Sequence, residues 1–247
     1  MEAYNGFAFV YDQLMDDFDY PGWAEYYLTL IREAGVQPNE LCDCACGTGS
    51  MTLEFARRGM RVTGVDISRE MLELASQKAR QSGVQAQFVC QDMCRLALMH
   101  QTDAIVCACD GVNYLTSDRR VRAYFEAAHA ALRPGGVLAF DVSSPYKLKS
   151  VLGDGFFGEE RDDVAYLWQN RLEGDVIAMD LTFFIREADG RYRRVAETHR
   201  QRAHDPENLA RMLAESGFTG VRILGDRSFE APGPEEMRVH ICARRES

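Results

Sequence analysis

The feature that most constrains this chain is a regular alternation of apolar runs and amphipathic segments between residues 41 and 143. The amphipathic segments have helical periodicity, and the apolar runs between them are short enough to be buried strands. Such alternation predicts a mostly parallel sheet with helices on both faces. The predicted strands are LCDCA, RVTGVD, AQFVCQD, DAIVCACD and VLAFDVS, and the predicted helices are SMTLEFARRG, SREMLELASQKARQSG and SDRRVRAYFEAAHAALRPGG.

Further elements are predicted on both sides of this region. Residues 1–37 are predicted to form a helical cap, because WAEYYLTLIREAG has helical spacing and ends in glycine. From about residue 146 to residue 203 the pattern is β-rich with EGD and ADGR turn signals, which predicts an inserted antiparallel meander. A helix at Asp205 and Pro206 and two closing strands, GVRILGD and MRVHICAR, follow. We therefore expect one domain over residues 1–247.

Charge and composition restrict the possible partners. The 247 residues carry a net charge of -10 and an isoelectric point near 5.1, whereas nucleic-acid binding depends on clustered Lys and Arg. A small-molecule ligand is therefore favoured over a nucleic acid. The amino terminus has no basic segment followed by an apolar stretch, and no window approaches the roughly 20 apolar residues of a membrane span. We expect a cytoplasmic protein with no membrane partner, whose eight cysteines are reduced.

The first predicted strand ends in a glycine turn. Asp43, Ala45, Gly47 and Gly49 form the pattern D-x-A-x-G-x-G ahead of a predicted helix. Glycines there let the backbone approach a ligand closely, and the helix N-terminus directs N–H groups at it. Glycine turns between a strand and a helix also occur for packing alone, so this motif needs support from the other strand ends.

The second and third predicted strands each end in an aspartate. Asp66 follows Gly49 by 17 residues, which is close to the spacing of about 20 for an acidic residue that binds a ribose. Asp92 is placed to accept from an adenine amino group, while the Met93 N–H faces a ring nitrogen. Each aspartate alone is equally well explained as a helix N-cap or a solvated loop residue. Acidic residues at three successive strand ends favour the binding interpretation.

Together these motifs resemble those of the class I S-adenosylmethionine-dependent methyltransferases. LCDCACGTGS is similar to their glycine motif, VTGVDIS to the ribose motif, CQDM to the adenine motif, DAIVCACDGVNYL to the fourth-strand motif and LRPGGVLAFDV to the segment leading into the fifth strand. The resemblance extends over about the whole chain. It implies a Rossmann-like α/β fold whose seven-stranded, mostly parallel sheet has a reversed last strand. It also implies methyl transfer to N or O of a small molecule.

The same resemblance implies which residues hold the cofactor, S-adenosylmethionine. Asp43 would hold its amino group, directly or through water. Asp66 and Ile67 would bind the ribose, and Asp92 and Met93 the adenine. The other implied contacts border the methionine part or close the cap over the cofactor: Ala45, Cys46, Gly47, Gly49, Cys109, Tyr11 and Tyr4.

A dinucleotide-dependent oxidoreductase is the nearest alternative, because it shares the strand, the glycine turn and the acidic strand end. Its G-x-G-x-x-G fingerprint needs a last glycine for close helix packing under a pyrophosphate. Thr52 stands three residues after Gly49 here, so a cofactor without a pyrophosphate fits better. Ala45 departs from the glycine that many methyltransferases carry, and we expect a tighter turn without lost binding. A cofactor-binding but inactive partner protein is a further alternative.

The sequence says least about the methyl acceptor. Transfer from a sulfonium needs mainly alignment and a dry pocket, and it needs a general base only where the acceptor holds its proton tightly. Asp110 is the first candidate for a catalytic polar group and His199 the second, although His199 equally fits the exposed face of a strand. The candidates for acceptor contacts are Asn113, Tyr114, Trp168 and Arg202. Aromatic residues here, including Phe183 and Phe184, also fit the meander's own core, and Arg202, like Arg200, also fits a solvated strand face.

Alternating cysteines raise the question of a metal site. Cys42, Cys44 and Cys46 alternate along the first strand, and Cys107 and Cys109 along the fourth. Period-two spacing puts each set on one side of its strand, provided that the strand stays extended that far. The sequence has no C-x-x-C pair and no compact Cys and His set, so buried packing is preferred over thiolate ligation. We expect no metal.

Overall fold

Two β-sheets and six α-helices make up the part of the chain that this computed structural model describes, residues 8–161 and 163–246. The helices are α1 Ala8–Leu14, α2 Tyr20–Glu33, α3 Ser50–Arg57, α4 Arg69–Ser82, α5 Asp118–Ala131 and α6 Pro206–Glu215. The strands are β1 Glu40–Cys44, β2 Arg61–Asp66, β3 Gln87–Cys90, β4 Thr102–Cys107, β5 Leu132–Ser143, β6 Phe156–Glu160, β7 Val164–Glu173, β8 Val176–Arg186, β9 Tyr192–Arg202, β10 Phe218–Leu224 and β11 Arg238–Arg245.

The larger sheet has seven strands in the order β10-β11-β5-β4-β1-β2-β3. Strands β1 to β5 run parallel to one another, and β11 runs antiparallel to both of its neighbours. The predicted seven-stranded sheet with a reversed last strand is therefore confirmed. The strand order reverses between β1 and β4, and the carboxyl ends of parallel strands at such a point form a crevice for ligands.

Both faces of this sheet are covered, which explains the continuous apolar runs in its central strands. One face places Ile105 and Phe140 in a buried cluster with Phe125 of α5 and Leu213 of α6. The other face joins residues of the same strands to the inner sides of α2 and α3, including Tyr27. None of the helices in the described ranges is long and apolar enough to span a bilayer.

The cysteines at the strand ends follow the predicted alternation only as far as the strands extend. Cys42, Cys44 and Cys107 lie in one buried cluster, and the sulfur atoms of Cys42 and Cys44 are 3.8 Å apart. Strand β1 ends at Cys44 and β4 at Cys107, so Cys46 and Cys109 belong to turns instead. Cys109 has φ 57° and packs against the opposite cluster. No group of three His, Cys, Asp or Glu in the described chain is arranged to hold a metal ion.

The smaller sheet is the predicted meander, with strands in the antiparallel order β6-β7-β8-β9. Its turns fall at the predicted EGD and ADGR signals, since β7 ends at Glu173 and β8 at Arg186. Strand β6, with the sequence FFGEE, was not predicted, because its glycine and paired glutamates break the apolar alternation. In the register of β8 and β9, Met179 pairs with His199 and Leu181 with Glu197, so these side chains share one face.

The predicted start of α6 is confirmed, whereas α2 begins three residues before the predicted Trp23. Helix α6 begins at Pro206 with Asp205 as its N-cap residue. Helix α2 begins at Tyr20, because the Asp19 side chain accepts from the backbone N–H of Gly22 at 3.0 Å and caps the helix there. Tyr4, which was predicted to close the cap over the cofactor, lies outside the described residues.

Candidate active site

A cavity of about 330 Å³ lies at the carboxyl ends of β1 to β4, where the strand order reverses. Strand ends of the large sheet form one side, α1 contributes Tyr11, and residues 198–200 of β9 form another side. The cavity therefore joins the cap, the large sheet and the meander. The predicted site residues in its wall are Tyr11, Ala45, Gly47, Asp66, Ile67, Asp92, Met93, Cys109, Tyr114 and His199.

The glycine turn and Asp66 form one rigid unit. The backbone N–H of Gly47 donates to one carboxylate oxygen of Asp66 at 2.8 Å, and the N–H of Ser68 donates to the other at 2.9 Å. Gly47 has φ 53°, and a Cβ added there would meet no atom within 4 Å, so its backbone is open to a ligand. Gly49 has φ 77°, and its Cβ would lie 2.8 Å from Cβ of Ala75, so glycine is required there by packing against α4.

Asp43 lies directly behind this turn. It is 1% exposed, and one carboxylate oxygen accepts from the Thr52 hydroxyl at 2.6 Å. Burial raises the pKa of Asp43 to about 7, and the charge of Asp66 adds to the rise while Thr52 opposes it. Burial likewise raises the pKa of Asp66, against the backbone donors of Ser68 and Gly47. One buried and one half-buried carboxylate beside an open glycine turn fit a ligand that carries a positive charge and hydroxyl groups, as S-adenosylmethionine does.

Asp92 shares the predicted adenine end of the cavity with an arginine. Its carboxylate accepts from the backbone N–H of Cys94 at 3.0 Å and pairs with Arg120 of α5 at 3.1 Å. Although burial acts in the opposite direction, these contacts hold the pKa of Asp92 below its usual value. Arg120 itself lines the cavity and was missed, because it lies in a helix that the sequence places 28 residues away.

The alanine at position 45 is accommodated by a glycine from another turn. Ala45 has φ 54°, a conformation that costs a non-glycine residue about 1–2 kcal/mol. A Cβ added to Gly111 would lie 2.9 Å from Cβ of Ala45 and 2.6 Å from Sγ of Cys107. Gly111 therefore provides the space that the extra methyl group needs.

Gly111→Ala is expected to lower the free energy of unfolding by about 1–3 kcal/mol, because both contacts are closer than van der Waals distance. Chemical denaturation measures the loss. Cys107→Ala in the same chain removes the closer of the two contacts and is expected to recover part of the stability. A Gly111→Ala protein as stable as wild type would show that the turn is free to move away.

Asp110 does not line the cavity but belongs to a buried ionic cluster. The Asp141 cluster, as we call it, consists of Asp110, Asp141, Arg238 and Tyr27. Arg238 donates to both carboxylates, and Asp141 also accepts from the Tyr27 hydroxyl at 2.7 Å. Burial alone would raise the pKa of Asp110, but Arg238 and Lys147 hold it below its usual value. A carboxylate held ionised in this way is a weak proton acceptor, so the structure argues against Asp110 as a general base.

Asp141 also fixes the backbone bend after β4. Cys109 and Asp110 both have positive φ angles, 57° and 58°, and their N–H groups donate to the two oxygens of Asp141 at 2.8 and 2.9 Å. This bend carries Cys109 into the cavity wall. Lys147 approaches the same cluster and donates to the Ser143 hydroxyl at 3.0 Å, and burial lowers the pKa of Lys147.

His199 is not on the exposed face of its strand, and that interpretation is wrong. It is 4% exposed and lines the cavity, because β9 turns Glu197 and His199 inward and Thr198 outward. Its Nδ1 lies 3.1 Å from the Tyr114 hydroxyl, and its Nε2 lies 3.3 Å from Oε2 of Glu197. Sequence spacing alone places Glu197 on the same strand face as His199, but its burial depends on the packing of the meander.

Three predicted acceptor contacts are used elsewhere in the fold. Asn113 is fully buried, and its amide bonds the backbone of Ser143 and the carbonyl of Arg202, so it joins β5 to β9. Arg202 pairs with Asp118 at 2.5 Å. Trp168 packs in the small cluster under the meander. None of these three residues lines the cavity, because backbone, ion-pair and core contacts hold their side chains elsewhere, and their contact with the acceptor stays a prediction.

The chain is similar to known methyltransferases in both sequence and structure. A family model for a methyltransferase domain matches residues 41–136. A Geobacillus sp. (strain WCH70) protein that carries the name of a methyltransferase is 34% identical over 246 residues, covering 98% of this chain and 100% of its own length. An S-adenosylmethionine-dependent methyltransferase from Clostridium acetobutylicum ATCC 824 superposes with a TM-score of 0.90 at 31% identity, over 99% of both chains. A dTDP-3-amino-3,4,6-trideoxy-alpha-D-glucopyranose N,N-dimethyltransferase of Streptomyces venezuelae is 25% identical over 73% of this chain and 76% of its own.

Proposed function

Because this chain belongs to the class I S-adenosylmethionine-dependent methyltransferases, we propose that it methylates an N or O atom of a small molecule. The bound cofactor supplies a methyl group on an electrophilic sulfonium centre. The oxidoreductase alternative is wrong, since the family is that of methyltransferases. A cytoplasmic location, a single domain and the meander as an acceptor-side lid stay predictions.

The observation that carries the proposal is the shared cavity. Residues at the strand ends, including Asp66 and Asp92, lie on one side of a cavity of about 330 Å³, and β9 of the meander lies on the other side. Their carboxylates suit a positively charged nucleoside. Tyr11 of α1 lines this space on the cap side. A cavity with walls from the cap, the large sheet and the meander can align two reactants, which is what methyl transfer requires.

Each residue role follows from its place in the wall. Asp66 and Ile67 are proposed to hold the ribose, and Asp92 and Met93 the adenine. Gly47, Ala45 and Cys109 are proposed to border the methionine part, with Asp43 behind the turn as the partner of its ammonium group. Arg120 joins this set, because its guanidinium pairs with Asp92 at the cavity wall.

The acceptor class is proposed from the lining and from one relative. Polar groups of Tyr114 and His199 face the cavity beside Cys109, so a hydroxyl- or amine-bearing compound fits the meander side. The Streptomyces venezuelae relative carries the name of an amino-sugar N,N-dimethyltransferase. Amino sugars are therefore the first compounds to test, with phenols as the matched hydroxyl acceptors.

The test combines binding with transfer. Calorimetry is expected to show saturable binding of S-adenosylmethionine and S-adenosylhomocysteine, and no binding of NAD or NADP. Mass spectrometry is then expected to detect a mass gain of one methyl group in some member of a panel of amino sugars and phenols. Absence of cofactor binding would contradict the proposed site. Binding without any transfer would favour an acceptor outside both compound classes.

Cofactor binding is expected to release protons at pH 7. Asp43, with a pKa of about 7, is close to half protonated there, and a cationic ligand next to it favours its ionised form. Below that pH the carboxyl must first lose its proton, so affinity is expected to fall by up to about tenfold per pH unit. Calorimetry in buffers of different ionisation enthalpy measures the release. Asp43→Asn is the control that should release none, and wild type without release would place the ammonium group away from Asp43.

A further inference from the structure

Helix α1 contacts three parts of the molecule through three successive residues. Val10 is 1% exposed and packs with Val164 and Phe183 of the meander. Tyr11 lines the cavity, and Asp12 bonds groups on the side of the large sheet. This short helix therefore lies between the acceptor side and the cofactor side of the site.

Asp12 is held by a lysine of α4. Nζ of Lys78 lies 2.9 Å from one carboxylate oxygen of Asp12. The same ammonium group donates to the Thr48 hydroxyl at 3.1 Å and to the Ser50 hydroxyl at 2.7 Å. The Thr48 hydroxyl in turn donates to Asp12 at 2.7 Å, so Asp12, Thr48 and Lys78 form a closed set of hydrogen bonds. We call Asp12, Thr48, Ser50 and Lys78 the Lys78 cluster.

The cluster is stronger than its ion pair alone. The side chains of Lys78 and Asp12 are 27% and 40% exposed, and an ion pair with this exposure contributes little by itself. An ammonium group has three N–H donors, however, and three acceptor side chains face those of Lys78. Thr48 is also 1% exposed, so the protein core fixes one member of the cluster. Hydrogen bonds joined in such a network reinforce one another.

The Lys78 cluster joins α1 to the glycine turn. Thr48 directly follows Gly47, and Ser50 is the first residue of α3. Gly47 and Tyr11 both line the cavity, and each is next in sequence to a member of the cluster. The cluster therefore fixes the position of Tyr11 relative to the open backbone of Gly47.

We propose that Lys78 is a positioning residue for the cofactor, because its ammonium group keeps α1 where Tyr11 faces the bound ligand. This inference rests on the proposed function, which puts the methionine part beside Gly47. A helix of seven residues is not stable by itself, so its position depends on its contacts. The meander holds one side of α1 through Val10 and Arg161, and the Lys78 cluster holds the side next to the cofactor. No member of the cluster lines the cavity, so its effect on the ligand passes through α1 and the glycine turn.

The first measurement is cofactor binding by calorimetry, which needs no acceptor. Lys78→Met is expected to raise the dissociation constant for S-adenosylhomocysteine about tenfold, because the apparent affinity falls with the fraction of molecules in which α1 is in place. Asp12→Asn should raise it by a similar factor, and the double variant should bind no more weakly than the weaker single one, since both residues act through one contact. Lys149→Met is the matched control. It breaks another exposed lysine–aspartate pair, that with Asp175, and should bind within about twofold of wild type.

The second measurement is hydrogen exchange, which shows whether the lost affinity passes through α1. In Lys78→Met the backbone amides of α1 are expected to exchange about threefold faster than in wild type or more, whereas those of α6 keep their rates. The melting temperature should stay within a few degrees of wild type, because the ion pair is partly exposed. If Lys78→Met melts much lower, the same comparison is made with Asp12→Asn, which leaves the lysine in place.

The outcomes separate this role of Lys78 from the proposed function. If wild type binds S-adenosylhomocysteine and both single variants bind within about twofold of it, the positioning role is wrong and the function stands. Weaker binding with unchanged exchange of α1 would also overturn the role, because Lys78 would then act through the glycine turn alone. Losses that simply add in the double variant would show that Asp12 and Lys78 act separately. A wild-type protein that binds no S-adenosylhomocysteine would instead contradict the proposed function itself.

Discussion

Replacement of Asp66 by alanine is expected to raise the dissociation constant for S-adenosylhomocysteine at least 100-fold. A carboxylate at the end of β2 is placed to accept from both ribose hydroxyls, and hydrogen bonds to a charged group contribute about 1.5–3 kcal/mol each. Two such bonds correspond to a change of about 100-fold or more in affinity. Calorimetry of wild type and variant under the same buffer measures the difference.

The loss of affinity should not arise from unfolding, because the Asp66→Ala protein is expected to stay folded. Burial raises the pKa of Asp66, so the ionised side chain is costly to keep in the cofactor-free protein. The variant also loses its hydrogen bonds to Gly47 and Ser68, which partly offset that cost. We therefore expect a melting temperature within a few degrees of wild type, together with lost binding.

Two further variants locate the effect at the ribose. Asp66→Asn keeps the shape and one acceptor oxygen, and about tenfold weaker binding is expected from the loss of the charge. Asp189→Ala, on the exposed turn between β8 and β9, removes a carboxylate far from the cavity wall and should change nothing. If Asp66→Ala bound within threefold of wild type, the ribose assignment would be wrong.

The cofactor side of the site was predictable because its residues lie next to strand ends in the sequence. Parallel strands bring their carboxyl ends to one edge, so Asp66, Asp92 and Cys109 meet there without any knowledge of side-chain packing. Local motifs therefore carried most of the information. The exception is Arg120, whose approach depends on how α5 packs against the turn after β3.

The acceptor side was less predictable because it depends on the register of the meander and on how the meander packs. Alternation along β9 was visible, but whether His199 faces water or the cavity depends on packing between two sheets. Trp168 likewise fits either a pocket wall or a core, and the core contact is observed. Strand β4 ends before the predicted Cys109 and Asp110, because these two residues have positive φ angles although neither is a glycine.

Asp141 is the residue whose structural role is least evident from the sequence, since it is a single charge inside the apolar run VLAFDVS. The structure shows it fully buried at the centre of the Asp141 cluster. A lone carboxylate in a strand covered on both faces must find partners, because an unpaired buried charge is very costly. It therefore indicates a polar network even where the identity of its partners cannot be read from the sequence.

Asp141→Ala is expected to lower the free energy of unfolding by about 3–5 kcal/mol, the usual cost of breaking a buried ion pair by removing one partner. The variant leaves the Tyr27 hydroxyl and the N–H groups of Cys109 and Asp110 without their acceptor, and Arg238 with one carboxylate instead of two. Because the bend at Cys109 and Asp110 also loses its support, affinity for S-adenosylhomocysteine should fall. Urea denaturation and calorimetry on the same preparation measure both effects.

A charge-neutral replacement and a double variant separate two contributions of Asp141 to stability: its ion pair with Arg238 and its hydrogen bonds to the backbone. Asp141→Asn keeps one oxygen for the backbone donors, so it should lose less stability than Asp141→Ala, and cofactor affinity should be partly retained. Arg238→Met combined with Asp141→Ala removes both charges, and its loss should be at least about 1 kcal/mol smaller than the sum of the two single losses, since paired groups couple. Additive losses would mean that Arg238 is held by Asp110 alone. An Asp141→Ala protein whose free energy of unfolding lies within 1 kcal/mol of wild type would contradict this prediction. The surrounding core, and not Asp141, would then hold the positive φ angles of Cys109 and Asp110 in the bend after β4.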